Sequence, residues 1–158
     1  MLKISRLADY ATRILFLLAG SSGQRFSANQ VSKETQIGIA TVSKVLKLLH
    51  QAQLVNSELG VNGGYQLARL PEMIPVAEII AAIDGRLAMT ECSKDENSCV
   101  HNNICEVRSH WRLINHIVLN VLQNLTLADM RRPQALETFK QKHLSTCQCI
   151  KVFHARPE

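Results

Sequence analysis

The sequence predicts a mostly α-helical fold with a small β-hairpin, arranged as a winged helix-turn-helix followed by a long dimerisation helix. Three observations support this fold class. A short helix, a turn and a longer helix fit residues 27–53, and two short strands follow directly. From residue 107 to 125, apolar residues recur at four- and three-residue steps. A chain of 158 residues can bury a core without disulfides.

The N-terminal segment predicts an amphipathic helix, because its apolar residues recur at three- and four-residue steps: Ile4, Leu7, Ala8, Ala11, Ile14, Leu15 and Leu18. Asp9 and Arg13 interrupt this run, which argues against a secretion signal. No segment is long enough to cross a bilayer, so we expect a cytoplasmic protein without a membrane partner.

The next two helices have helix-turn-helix spacing. Ser27 followed by Gln30 is typical of a capping box and predicts a short helix to about Thr35. Gly38 marks the turn, and the third helix is predicted from residue 39 to 53. One face of that helix is apolar, with Val42, Val45, Leu46 and Leu49.

A hairpin directly after the third helix predicts a wing. Its strands are expected at residues 54–59 and 65–68, and the Asn62-Gly63 pair between them suits the positive φ angles of a hairpin tip. Residues 76–83 then form a short amphipathic helix that Asp84-Gly85 ends.

The chain divides into four predicted parts. Residues 1–84 form a winged helix-turn-helix domain, 85–106 a cysteine loop, 107–130 a dimerisation helix and 131–158 a polar C-terminal tail. The long helix carries an apolar stripe suited to packing against another helix: Val107, Trp111, Ile114, Val118, Val121 and Leu125. The alternative is burial of this stripe within its own chain, but we favour a homodimer because the other elements are short and already assigned.

The second helix of a helix-turn-helix enters the DNA major groove by its N-terminal part. The candidate base-reading residues are therefore Ala40, Thr41, Ser43 and Lys44. The candidate phosphate contacts are Lys47, Lys3, Arg6, Arg25, Lys33 and the wing residues Asn62 and Gly63. Residues 1–68 contain seven Lys and Arg against three Asp and Glu, which is compatible with double-stranded DNA as the partner.

Three cysteines lie in the polar loop: Cys92, Cys99 and Cys105, with six and then five residues between them. The five cysteines of the chain are odd in number and clustered, which argues against a disulfide framework and favours a reducing compartment. Three thiolates at this spacing can converge on an iron-sulfur cluster, zinc or cuprous copper. Structural zinc sites usually include a tighter cysteine pair, so a cluster is favoured and zinc is the alternative.

Several motifs together resemble the IscR/NsrR type of winged-helix iron-sulfur regulators over residues 2–130, and most closely the branch of SUF-system iron-sulfur assembly regulators. They are LADYA, TVSKVLKLL, GVNGGYQLAR, VAEIIAAIDG, the three-cysteine loop and HWRLI. The resemblance implies a dimeric transcription factor whose DNA affinity depends on a cluster, most often 2Fe-2S and in the NsrR branch 4Fe-4S.

The resemblance implies that Cys92, Cys99 and Cys105 are cluster ligands, although the family often has five residues between the first two cysteines and this chain has six. The IscR branch uses a histidine three residues after the third cysteine, where this chain has Arg108, which cannot ligate. The remaining candidates for a fourth ligand are Asp9 from the partner subunit, as in some NsrR-type proteins, His110, His101 and Glu106.

The sequence therefore predicts a homodimeric regulator, not an enzyme, that represses iron-sulfur assembly genes and senses a cluster. One alternative is a nitric-oxide-sensing repressor of NsrR type. Another, from a different class, is an iron-sulfur carrier or redox protein whose winged helix binds only a protein partner. Cys147 and Cys149 form a Cys-Gln-Cys pair in the tail, which we interpret as two exposed thiols.

Overall fold

The computed structural model describes residues 4–21, 23–60, 63–94, 99–100 and 104–132. Seven helices and two strands occur in this part of the chain. The order is α1 (Arg6–Ala19), α2 (Ala28–Thr35), α3 (Ile39–Gln51), β1 (Val55–Glu58), β2 (Gly64–Leu67), a 3-10 turn (Pro71–Met73), α4 (Val76–Asp84), α5 (Glu91–Lys94), α6 (Arg108–Asn124) and α7 (Leu127–Arg131). The predicted fold class, mostly α-helical with a small β-hairpin, is confirmed, and dimerisation through the long helix α6 stays a prediction.

The first three helices form where the sequence provides caps and apolar stripes. The side chain of Ser5 accepts from the Ala8 amide and begins α1. Ser27 and Gln30 form the expected capping box of α2, with both reciprocal hydrogen bonds present. Gln36 adopts a left-handed conformation, with φ of 56°, and ends α2 before the turn to α3. The buried apolar face of α3 is the predicted one.

The main core lies between α1, α2, α3 and the hairpin. Its fully buried side chains include Ile14, Leu15, Leu46, Leu49 and Leu54. Ile4, which we expected on the apolar face of α1, lies before the helix and is 56% exposed. A second, smaller cluster joins Ala8 of α1 to Val76 and Ile80 of α4, so α4 is fixed on the winged-helix unit.

The strands form an antiparallel hairpin in which Val55 pairs with Leu67 and Glu58 with Gly64. Phe26 adds a bridge that the sequence did not predict: its amide donates to the Tyr65 carbonyl (3.0 Å) and its carbonyl accepts from the Tyr65 amide (2.8 Å). A Cβ on Gly64 would lie 2.8 Å from the Phe26 oxygen, so only glycine permits this close approach. The bridge ties the wing to the segment before α2.

The expected positive φ at the hairpin tip is wrong for Gly63. Positive φ angles occur instead at Gly60 and Gly64, and Asn62 lies outside the described residues. A residue with a side chain would clash at position 63, because a Cβ there would lie 2.8 Å from the Leu59 carbonyl carbon. The turn closes through the Gly63 amide, which donates to the Gly60 carbonyl at 3.0 Å.

The C-terminal helices return to the winged-helix unit. After α6, the Leu125 carbonyl accepts from the Val76 amide (2.8 Å), and the Leu127 amide donates to the Ile74 carbonyl (2.9 Å). Leu127 is fully buried in the main core. Arg131 donates to the Ala19 carbonyl at 2.6 Å and lies over the Phe16 ring, so α7 caps the C-terminal end of α1.

Among the helices in the described part of the chain, none is both long and apolar enough to span a membrane.

Candidate functional site

The outward face of α3 is the candidate surface for DNA. Ala40, Ser43, Lys44 and Lys47 are exposed, while Thr41 is half-buried at the edge of the face. Val42, Val45, Leu46 and Leu49 on the opposite face are fully buried, which fixes the orientation of the helix. The structure therefore exposes four of the five α3 residues named from the sequence, and contact with DNA stays a prediction for all five.

Side-chain hydrogen bonds fix the turn between α2 and α3. Arg13 of α1 donates to the Thr35 carbonyl at the end of α2 (2.7 Å), and Ser32 donates to the Ile37 carbonyl (2.6 Å). The side chain of Ile37, in the turn itself, is 5% exposed and packs in the main core. The angle between the two helices is therefore set by the fold before any DNA is bound.

The other predicted phosphate contacts differ in their surroundings. Arg6 and Lys33 are exposed. Arg25 forms an ion pair with Glu58 of β1, so its charge is partly balanced within the chain. Gly63 lies in the wing, while Lys3 and Asn62 lie outside the described residues. Of those groups that the structure describes, Arg6 and Lys33 are the ones that present an exposed cation.

The three cysteines of the predicted metal site are free and half-buried. Cys92 lies in α5, a short helix that the sequence analysis assigned to the loop, and Cys105 lies just before α6. Within the described residues, no three His, Cys, Asp or Glu side chains converge as a metal site would require. The donors fit a thiolate-ligated group chemically, because none of the three is in a disulfide.

Two sets of contacts hold the Cys92 segment on α6. The Thr90 hydroxyl lies 3.2 Å from the Cys92 sulfur and 2.8 Å from the Ser93 hydroxyl, and Ser93 donates to the Trp111 carbonyl at 3.5 Å. The Met89 amide donates to Oδ1 of Asn115 at 3.0 Å. Thr90, Ser93 and Asn115 were not predicted from the sequence, although Asn115 continues the spacing of Trp111, Val118 and Leu122 along α6.

The candidates for a fourth ligand occupy three different places. Asp9 is exposed in the first turn of α1, and Arg13, a possible ion-pair partner, bonds to the Thr35 carbonyl instead. His110 is exposed in the first turn of α6, and Glu106 is exposed just before it. His101 lies outside the described residues, as do Cys147 and Cys149. Ligation by Asp9 of a partner subunit concerns a second chain and stays a prediction.

The N-terminal half of α6 exposes apolar side chains. Val107 and Ile117 are each 54% exposed, and Trp111 and Ile114 are each 40% exposed. The far end of the predicted stripe is different, because Leu122 and Leu125 pack on the cluster of Ala8, Val76 and Ile80 in the same chain. Burial within the chain, the alternative to dimerisation, therefore holds for this end of the stripe.

A cleft of about 840 Å³ lies between α4, α6 and the segment that joins α4 to α5. Ile80, Leu87, Val118 and Leu122 give it mainly apolar walls, and Asn115 lies among them. Ile4 and Trp111 also line it, so the cleft continues the exposed face of α6.

Comparisons with known proteins agree with this architecture. The model of the Rrf2 family, described as "Iron-dependent Transcriptional regulator", matches residues 4–133. Protein rrf2 of Nitratidesulfovibrio vulgaris Hildenborough is 30% identical over 136 residues, covering 85% of this chain and 91% of that protein. The regulator NsrR of Shouchella clausii is 28% identical, covering 82% of this chain and 88% of its own.

Two solved structures share the fold at 27% identity. CymR, the global cysteine regulator of B. subtilis, has a TM-score of 0.69 and covers 82% of this chain and 96% of its own. IscR of T. potens has a TM-score of 0.64 and covers 82% of this chain and 86% of its own. The relatives regulate transcription and are not enzymes, and regulators of this family bind DNA. The chain belongs to the Rrf2 family of transcriptional regulators.

Proposed function

We propose that this regulator is a homodimeric repressor of iron-sulfur assembly genes whose affinity for DNA depends on a cluster bound by Cys92, Cys99 and Cys105. The observation that carries the proposal is the position of α6. Its first turns contact α5, which bears Cys92, and the chain after its last turn packs through α7 on α1. One helix therefore connects the thiols to the DNA-binding unit, so that a ligand on the thiols can bias the position of α3.

The cluster, when bound, would act as the sensor: the fraction of protein that carries it would follow the iron-sulfur supply of the cell. A 2Fe-2S cluster is favoured, a 4Fe-4S cluster is compatible with three thiolates, and zinc is the alternative. Asp9 and His110 are the proposed sources of the fourth ligand. If Asp9 of one subunit serves the loop of the other, the cluster would tie α1 to the partner and change the spacing of the two α3 helices.

The exposed apolar face of α6 supports the homodimer. Large apolar side chains in the first half of the helix would contact water in an isolated chain. A second copy of the same face would cover them and leave the two α3 helices available for the two halves of an operator.

DNA binding is tested with the fragment upstream of the gene that encodes the chain. Lys44→Ala/Lys47→Ala should weaken binding and reduce the slope of log affinity against log salt by about 0.9 for each phosphate that is no longer neutralised. Arg132→Ala removes an exposed cation beside Glu72, outside the predicted DNA contacts, and should leave both quantities unchanged. Equal binding by both variants, or salt-independent binding, would favour the carrier or redox alternative.

Cluster binding is tested by anaerobic purification followed by a visible spectrum and by iron, sulfide and zinc analysis. The wild-type chain should contain iron and sulfide, and Cys92→Ser, Cys99→Ser or Cys105→Ser should each reduce both. Cys147→Ser/Cys149→Ser is the matched control and should retain the full content. A colourless dimer that contains zinc would overturn the cluster-sensing proposal.

A nitric-oxide sensor is the second candidate, because several 28%-identical relatives are named NsrR. The two functions differ in the signal that releases DNA. Nitric oxide added to the loaded protein under anaerobic conditions should release DNA at stoichiometric amounts if the chain is such a sensor. If the chain instead senses cluster supply, release should follow removal of the cluster by a chelator, with no preferential response to nitric oxide.

A further inference from the structure

Asn115 is a buried amide in a cleft with mainly apolar walls. Among the 17 residues of α6, all of which are described, it is the one that is buried, with 7% exposure. Asparagine is a poorer helix former than leucine, and an amide buried without a partner is costly. A leucine would therefore suit both the helix and the cleft better than asparagine. Apolar packing alone does not explain why an amide occupies this position.

Its hydrogen-bond partner supplies that reason. Oδ1 of Asn115 accepts from the Met89 amide at 3.0 Å, across 26 positions of sequence. Met89 lies in the irregular segment between α4 and α5, where no helix or strand satisfies the backbone amide. The bond therefore fixes this segment to the middle of α6.

The fixed segment leads directly to a candidate ligand. Thr90 follows Met89, and its hydroxyl contacts the Cys92 sulfur and the Ser93 hydroxyl. Ser93 in turn bonds to the Trp111 carbonyl, one helical turn before Asn115. Cys92 is thus held on α6 by a backbone anchor before it and a hydroxyl contact after it.

We propose that Asn115 is the positioning residue of the thiol site, which holds the Cys92 sulfur at a set place on α6. This inference rests on the proposed function, in which Cys92 is a cluster ligand. Loss of the amide acceptor frees the Met89 amide and lets α5 move away from α6. The consequence falls on Cys92, because Cys105 is held at the start of α6 by a separate bond: its carbonyl accepts from the Arg108 amide at 3.4 Å.

The test uses the reduced, metal-free full-length protein and iodoacetamide, with alkylation of Cys92 and Cys105 followed separately by peptide mass spectrometry. Asn115→Leu, which removes the acceptor but keeps the branched shape of the side chain, should raise the Cys92 to Cys105 rate ratio roughly three- to tenfold, the range expected for the loss of one hydrogen bond. Asn115→Asp keeps a side-chain oxygen that can accept from the Met89 amide, so this variant should show the wild-type ratio.

Asn120→Leu is the matched control, because it replaces an exposed asparagine on the same helix. It should leave the ratio unchanged. An unchanged ratio in Asn115→Leu, or an equal rise in Asn120→Leu, overturns the proposal. A general loosening of the fold would raise the alkylation rates of Cys92 and Cys105 together and would leave their ratio unchanged. A raised ratio in Asn115→Asp would show that the acceptor oxygen does not hold Cys92, and this result also overturns the proposal.

Hydrogen exchange of the wild-type chain tests the same inference without any substitution that could prevent folding. The Met89 amide should exchange at least about tenfold more slowly than a freely exposed amide of the same sequence context. Exchange at the freely exposed rate overturns the proposal. These measurements need no cluster, so their failure is separate from failure of the proposed function, which would appear as wild-type protein without iron.

Discussion

The winged-helix unit and the cysteine-bearing region around α6 differ in how completely the chain covers the apolar stripes of their helices. In α1 and α3, the apolar stripes are buried almost entirely. In α6, Asn115 is buried while Trp111, Ile114 and Ile117 stay 40–54% exposed. The helical stripes of the first unit are therefore covered within one chain, whereas the stripe of α6 is left partly uncovered. An uncovered apolar face is where the proposed homodimer would form, so the difference separates the part of the chain that folds alone from the part proposed to meet a second copy.

The largest expected effect concerns the residue that joins the two regions. Leu127→Ala should lower the free energy of unfolding by about 3 kcal/mol, because a fully buried side chain leaves a cavity in the main core. Leu113→Ala, at 60% exposure on α6, should change it by about 0.5 kcal/mol or less. Urea denaturation at one fixed protein concentration measures both. Equal losses of unfolding free energy in the two variants would mean that Leu127 and Leu113 are equally buried, which would contradict the difference between the two regions.

The next effect concerns the uncovered face of α6. Ile114→Glu should raise the dissociation constant of the dimer about a hundredfold or more, because two unpaired carboxylates would be buried at the interface. Sedimentation equilibrium measures the change. Leu70→Glu is the control, since Leu70 is 70% exposed and lines a cleft with Leu18 and Ala19 of α1, in which no residue of α6 takes part. A dimer that tolerates Ile114→Glu would assign the interface to another surface.

The smallest effect concerns the contact between α7 and α1. Arg131→Ala should lower the free energy of unfolding by about 1 kcal/mol, because it removes a bond to the Ala19 carbonyl and the contact with Phe16. Arg132→Ala should have almost no effect, since Arg132 is 72% exposed and lies 4.0 Å from Glu72. Indistinguishable melting of the two variants would show that α7 adds nothing to the stability of the winged-helix unit.

The sequence predicted the winged-helix unit well because its signals are local. The capping box of Ser27 and Gln30 and the stripe of α3 each depend on spacings within a few turns. What it missed depends on residues far apart in the chain: the bridge between Phe26 and Tyr65, and the burial of Leu127 beneath α1. A short helix such as α5, with four residues, has no periodicity that a sequence pattern could reveal.

The candidate site divides in the same way. The exposed residues of α3 can be predicted from its helical period. Cys92, Cys99 and Cys105 can be predicted as ligands from their residue type alone. The place of Asn115 in the apolar stripe of α6 can be seen in the sequence, but its hydrogen bond to the backbone of Met89, 26 positions away, cannot. The hairpin tip was misjudged at Gly63, since the local Asn-Gly signal could not anticipate how closely Gly64 approaches Phe26.

The ratio of DNA affinities of the cluster-loaded and metal-free proteins tests the central claim most directly. It is measured anaerobically at one fixed salt concentration on the fragment upstream of the gene that encodes the chain. We expect affinities that differ at least about tenfold, the lower range of typical coupling between two sites, and a ratio of one in Cys92→Ser. Equal affinities of the two wild-type forms would contradict the claim that a cluster on these cysteines controls DNA binding.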